Sequence, residues 1–166
     1  MTLTSHLKYL SVVFLSLLIL GCGWQLRGYH TDNLMIDAIA LDLEKINNPI
    51  FTKVFRDTLA NEYQVKVDSN ADIKVSIAAV VERKRASSKD REGDVSEYEH
   101  TITLKTVSTL PDHDQALTQS FTTIRRQSYD EDNLLSSDIL ERTAKVESYR
   151  ELARQYASYL ARQLNK

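Results

Sequence analysis

The sequence is poor in the residues that staple or break a chain, with one cysteine, two prolines and four glycines in 166 residues. A single thiol allows no internal disulfide, so any folded part must rest on its apolar core. A formal charge of only −2 gives no general attraction to a polyanion, so no nucleic-acid partner is expected. No apolar run reaches the roughly 20 residues of a membrane-spanning helix, and no internal repeat is visible. A Gly-x-Ser-x-Gly elbow, a phosphate-binding glycine loop and a His-Glu-x-x-His motif are all missing, and His30, His100 and His113 are widely spread, so nothing points to an enzyme, a cofactor or a catalytic metal. His113 between Asp112 and Asp114 reads as a polar turn as readily as a metal site.

What is present begins with Cys22. Upstream, Lys8 precedes an apolar stretch from Tyr9 to Leu20 that ends at Gly21, which fits the short h-region and small-residue end of a secretory signal. The cysteine directly after that small residue makes Ile19-Leu20-Gly21-Cys22 resemble the lipobox of bacterial lipoproteins. The resemblance implies cleavage before Cys22 and acylation of its thiol and new amino group. Several acyl chains, at about 0.8 kcal/mol per buried methylene, anchor a protein in effect permanently. A buried inert cysteine, or a free thiol in a simple N-terminal anchor, is the plainer alternative. Gly23 rather than Asp after the cysteine implies, in such lipoproteins, sorting to the outer membrane. The chain thus divides into a cleaved signal (1–21), a lipidated tether (22–33), docked through Trp24 and Leu26 or simply flexible, and one domain (34–166). Cleavage leaves 20 basic against 23 acidic residues, a balance of −3.

Hydrophobic periodicity lays out the domain. Ile39, Leu41 and Leu43 alternate with Ala40 and Asp42, predicting a strand over 35–43. Asn48-Pro49 starts a helix ending near Tyr63, with Phe51, Val54, Phe55 and Leu59 on one face. After a short Val65/Val67 stretch, Ile73, Val75, Ile77, Ala79 and Val81 predict a strand with those residues inward. A second run over 94–110 carries Tyr98, His100, Ile102 and Leu104 on one face and should pair with the first as a hairpin; His100 reads as a hydrogen-bonded core histidine. A third run over 115–129, threonine-rich and free of glycine, carries Leu117, Phe121 and Thr123 inward. Thr101, Thr103, Gln119, Thr122 and Arg126 fall on exposed sides. Asp138 and Glu141 then stand as a capping box for a helix to Leu164 whose stripe is Ile139, Val146, Tyr149, Ala153, Tyr156, Leu160 and Leu164. The expected fold is α+β, a two-layer sandwich in which a mixed sheet of about four strands carries two helices on one face.

The segment Cys22-Gly23-Trp24-Gln25-Leu26-Arg27-Gly28, the Asn48-Pro49 helix start, the Glu97-Tyr98 pair opening a long strand and the closing amphipathic helix together resemble the LptE family of lipopolysaccharide-assembly lipoproteins. The resemblance implies a plug inside the LptD β-barrel in a one-to-one complex, help in assembling that barrel, and delivery of lipopolysaccharide to the outer leaflet from a lipid-anchored position in the outer membrane. The polar strand faces suit the hydrated lumen of such a barrel. Arg83, Lys84, Arg85, Lys89 and Arg91 cluster around Ala86-Ser87-Ser88 and Gly93, which predicts a mobile basic hairpin tip suited to phosphorylated lipid A, because guanidinium groups match phosphate oxygens. The family's lipopolysaccharide-contacting basic residue lies just before the Glu-Tyr pair, which implies Arg91 or Lys89 here. A solvated tip serving solubility is the alternative, and at the level of the whole protein, a lone lipid carrier with an acyl chain between its helices and sheet.

Overall fold

The computed structural model describes residues 36–111 and 113–165. The signal, Cys22, the tether with Trp24 and Leu26, and Asp112 of the polar turn lie outside the described residues.

The elements run β1 (Ala38–Asp42), α1 (Pro49–Glu62), β2 (Lys66–Val67), β3 (Lys74–Lys89), β4 (Val95–Thr109), β5 (Leu117–Ser128), a 3-10 turn (Glu131–Asn133) and α2 (Leu134–Leu164). The sheet is open, mixed and five-stranded in the order β2-β1-β3-β4-β5. The strand beyond the expected four is β2, two residues long, which lies parallel to β1 with Ile39 opposite Val67. It forms because α1 returns the chain beside β1: Gln64, at φ 58°, turns it, and Lys66 N–H then donates to the Asp37 carbonyl at 3.0 Å.

Helix α1 begins where expected. The Asn48 side chain, on an extended backbone, accepts the Phe51 N–H at 3.0 Å, and Pro49 sits in the first turn, where no N–H is needed. Phe51, Phe55 and Leu59 are buried on its inner face. They meet Val75 and Ile77 of β3, Ile102 and Leu104 of β4, Phe121 of β5, and Tyr149, Leu152, Tyr156 and Leu160 of α2 in one cluster. Ala153, Ala157 and Ala161, also buried, keep the inner face of α2 narrow. The Tyr156 hydroxyl, which could not be buried unpaired without cost, meets Ser108 Oγ at 3.0 Å.

Two expectations about facing are corrected. In β3, Ile77 pairs with Thr106 but Ala79 with Lys105, so Ala78 is an extra residue and every later side chain changes face. Val80, not Ala79 or Val81, continues the inward row, and Val81 is exposed. In β5, Gln119 lies opposite Thr106, on the helix side with Phe121, although it is exposed there.

The end of the helix stripe is corrected as well. Helix α2 starts at Leu134, capped by Asn133, whose side chain accepts the Ser136 N–H at 3.3 Å. Asp138 and Glu141 are therefore inside the helix and not its capping box. Apart from Ser137, burial runs from Ser148 and Tyr149 to Ala161, whereas Ile139 is 59% exposed. The apolar surface of the sheet ends near Val80 and Ile102, and beyond it the first turns of α2 face polar strand residues.

Candidate functional site

That polar region is the distal half of the β3–β4 hairpin together with the N-terminal half of α2. Strand β3 is longer than periodicity suggested: it stays paired through Ala86 opposite Tyr98 and Ser88 opposite Glu97, with Ser87 as a second irregularity. Ala86-Ser87-Ser88 looks like loop, but cross-strand pairing with a β-prone partner decides the matter. Ser87 Oγ donates to a Glu97 carboxylate oxygen at 2.8 Å. The expected mobile tip over 83–93 is thus mostly strand. Only Asp90–Asp94 turns, and it is tied: Asp90 Oδ1 accepts the N–H groups of Glu92, Gly93 and Asp94 at 2.9–3.0 Å. Gly93 adopts φ +97°, a conformation that only glycine takes readily.

The five basic residues consequently do not form one cluster. Arg91 lies in the turn and Lys89 ends β3; both are exposed, with no ion pair among the described residues. Arg83 and Arg85 stand on the outer sheet face, opposite Thr101 and Glu99. Lys84 stands on the inner face opposite His100.

On the outer face Glu99 is only 5% exposed. Arg85 Nη2 reaches one of its oxygens at 2.7 Å and Arg126 Nε the other at 3.5 Å, which compensates a charge that could not be buried alone. Next to this triad, Arg83 and Lys105 share a shallow groove of about 210 Å3 with Val81, Thr101 and Thr103, and neither cation has an ion pair among the described residues. Thr103 and Thr122 join hydroxyls at 3.1 Å across the strands. The face is polar, with cations in excess of carboxylates.

The inner face is a network. Lys84 Nζ lies 2.6 Å from Glu141 Oε2 and 4.3 Å from the Tyr98 ring centre. Lys145 Nζ joins Glu141 at 3.1 Å and Glu82 at 3.7 Å. Glu82 accepts a short hydrogen bond from the Tyr149 hydroxyl and one from Asn48 Nδ2 at 3.1 Å. The residue that caps α1 thus also ties it to β3 and α2. Burial and the bond to the Glu82 carboxylate push the Tyr149 phenol up to about 12. Burial alone would raise the Glu141 pKa, but hydrogen bonds from Lys84 and Lys145 outweigh it and hold the carboxyl below its usual range. Desolvation lowers His100, with Lys84 and Lys145 adding to it against the opposing pull of Glu141 and Glu82. His100 is buried as expected, but its Nε2 has no hydrogen-bond partner, which corrects the expectation of a bonded core histidine.

Periodicity did not reveal Glu82, Asn48 and Tyr149 as partners, because the residue that turns Glu82 inward is the unmarked Ala78. Nor did it reveal Glu99 as buried, since that requires knowing that Arg85 and Arg126 flank it. Among the described residues no group of histidine, cysteine, aspartate and glutamate is arranged to hold a metal ion, and no helix is long and apolar enough to cross a membrane.

No protein-family model and no curated protein matches the chain. Solved structures do. The crystal structure of rare lipoprotein B from Shewanella oneidensis superposes with a TM-score of 0.65 at 18% identity, over 77% of this chain and 97% of that one. Lipoprotein B from Nitrosomonas europaea, solved in solution, gives 0.60 at 18%, over 81% and 88%. A minor lipoprotein from Acinetobacter baumannii gives 0.60 at 12%, over 76% and 92%. This chain shares their fold.

Proposed function

We propose that this chain is an LptE-type lipoprotein of the outer membrane, anchored through acylated Cys22, that plugs the LptD β-barrel one to one, assists its assembly and helps deliver lipopolysaccharide. The observation that carries the reading is the shared fold, which spans 97% of the Shewanella lipoprotein, joined to the stretch Cys22-Gly23-Trp24-Gln25-Leu26-Arg27-Gly28. The outer sheet face supports it: threonines and paired charges suit a hydrated barrel lumen. Arg83, Lys89 and Arg91, which have no ion pair among the described residues, remain the phosphate-seeking groups, while Arg85 is engaged by Glu99 and Lys84 by Glu141.

The lone-carrier alternative needs space between helices and sheet. Beside α1 and the C-terminal half of α2 that space is filled by Phe51, Phe55, Leu104 and Tyr156, all fully buried.

The test is an affinity pull-down of the full-length tagged protein from detergent-extracted outer membranes, with mass spectrometry of the bait's N-terminus and its companions. A triacylated Cys22 and a stoichiometric large β-barrel are expected. A lipidated bait that comes alone would sink the barrel partnership, and an intact residue 1–21 segment would sink the anchor.

A further inference from the structure

The C-terminal half of α2 uses one face to hold α1. Phe51 and Tyr149 lie edge to face with ring centres 5.4 Å apart, Phe55 and Tyr156 5.8 Å apart, and Ala153 and Leu160 are buried in the same cluster. Tyr149, Ala153, Tyr156 and Leu160 follow one another at steps of four, three and four, the spacing of a seam between packed helices. The same steps continue toward the N-terminus through Val146, Arg142, Ile139 and Leu135. Helix α1, however, begins at Pro49, with Asn48 beside Tyr149. Among the described residues no helix therefore covers the N-terminal half of the seam. What remains is an open groove of about 680 Å3, lined by Ile50, Leu135, Asp138, Ile139, Arg142 and Val146 among others.

This groove gathers apolar surface that the rest of the molecule disperses. Leu135 is 74% exposed, Ile139 59% and Ile50 48%, whereas Val67, Val81, Ile124 and Leu164 stand apart on other elements. It also holds two charges without a counterpart: Asp138 and Arg142 are exposed, and neither side chain has an ion pair or a hydrogen bond among the described residues. A fitting occupant is an apolar helix face that brings a cation to Asp138 and an anion to Arg142. The seam itself, turned end for end, has that pattern. In an antiparallel pair Leu135 of one copy meets Val146 of the other, Ile139 meets Arg142, and Asp138 lies beside Arg142 on both sides of the two-fold axis. A parallel pair would set Arg142 against Arg142. A charge within a seam selects register more than it adds strength. The overlap ends at Ile50, where α1 takes up the seam. Its apolar part is on the order of 400 Å2 in each copy, the size of patch that marks an interaction site. With the polar rim, two copies bury roughly 1,000 Å2, the lower bound for a specific interface.

We propose that two copies of this chain associate through the N-terminal halves of α2, packed antiparallel along Leu135, Ile139, Arg142 and Val146. The dimer is a state of the protein free of other partners, and it does not rest on the barrel partnership: the groove is apolar where a barrel lumen is polar. An interface of this size holds with a dissociation constant on the order of 10 μM.

The experiment is sedimentation velocity of the purified full-length protein in detergent, over a concentration series spanning that constant, with native mass spectrometry of the same samples. A reversible dimer is expected. Ile139→Asp should leave only monomer. Asp138→Arg and Arg142→Asp, which set like charges together, should each weaken association at least about tenfold, and the double variant should recover it to within about threefold of wild type. All three positions are exposed, so urea unfolding of each variant as monomer should match wild type. A wild type that stays monomeric would overturn the proposal, and an acyl chain carried by wild type but lost in Ile139→Asp would give the groove to lipid instead. A dimer that Ile139→Asp leaves intact, or a double variant that fails to recover, would overturn it equally.

Discussion

The two ends of the hairpin and of helix α2 are held by different forces. At the proximal end β3, β4 and the C-terminal half of α2 enclose a dry core with α1, centred on Phe55, Leu104 and Tyr156. At the distal end the same two strands and the same helix meet through Glu82, Lys84, Glu141, Lys145 and Tyr149. Burial of apolar surface does not depend on protonation states, whereas the distal contacts do and are partly exposed. One end sets most of the stability of the fold, and the other presents a polar surface tied by ion pairs and hydrogen bonds.

The largest expected effect tests the proximal end. Phe55→Ala should cost about 3–5 kcal/mol in urea unfolding, through lost transfer energy and the cavity left behind; a loss below 1 kcal/mol would show that the core is not the main support. Asn48→Ala, at the joint between the two ends, removes the α1 cap as well as the bond to Glu82. It should cost about 1–2 kcal/mol. Tyr149→Phe should cost about 1 kcal/mol, and a double-mutant cycle with Glu82→Gln should show that the two losses do not add; simple additivity would deny the network.

Acid should separate the ends next. His100 has a folded pKa below its unfolded value near 6.5, so the unfolded chain binds the proton first and stability falls as pH drops below about 6.5. The contribution of Glu141, whose folded pKa is also lowered, is present above its unfolded pKa and is lost as pH falls through the folded one. Stability should therefore decline in two stages on acidification, and His100→Gln should remove the upper stage only. Hydrogen exchange should place the loss in residues 82–100 and 134–146, not in α1. The smallest effect belongs to the surface: Arg83→Glu should change stability by less than about 0.5 kcal/mol. On the proposed function it should nevertheless weaken retention of lipopolysaccharide by the purified complex, and unchanged retention would remove Arg83 from that role.

Much of the proximal end was legible in the sequence, because its signals are local. Asn48-Pro49 is a start signal whatever surrounds it, and the alternation that carries Ile102 and Leu104 runs unbroken from Tyr98 and His100 at the distal end, so α1 and β4 fall where expected. The distal end was misread for a physical reason in each case. Ile77-Ala78-Ala79-Val80-Val81 offers an apolar residue to either face, and periodicity cannot say which alanine is skipped. Ala86-Ser87-Ser88 carries weak strand preference and is held only by its partner strand. Ile139 fits the helical stripe, but the sheet has no apolar surface left to receive it.

The sequence by itself determined the order of the four longer strands and two helices, the hairpin, and the faces of α1 and β4, since each depends on residue spacing within a few turns or on a short motif. Only the tertiary structure decided that Arg83, Lys84 and Arg85 point to different surroundings, that Glu99 is buried between two arginines, and that His100 is buried with no partner for its Nε2. Those outcomes depend on one unmarked bulge and on register between strands, quantities set by packing over the whole sheet and not by neighbouring residues.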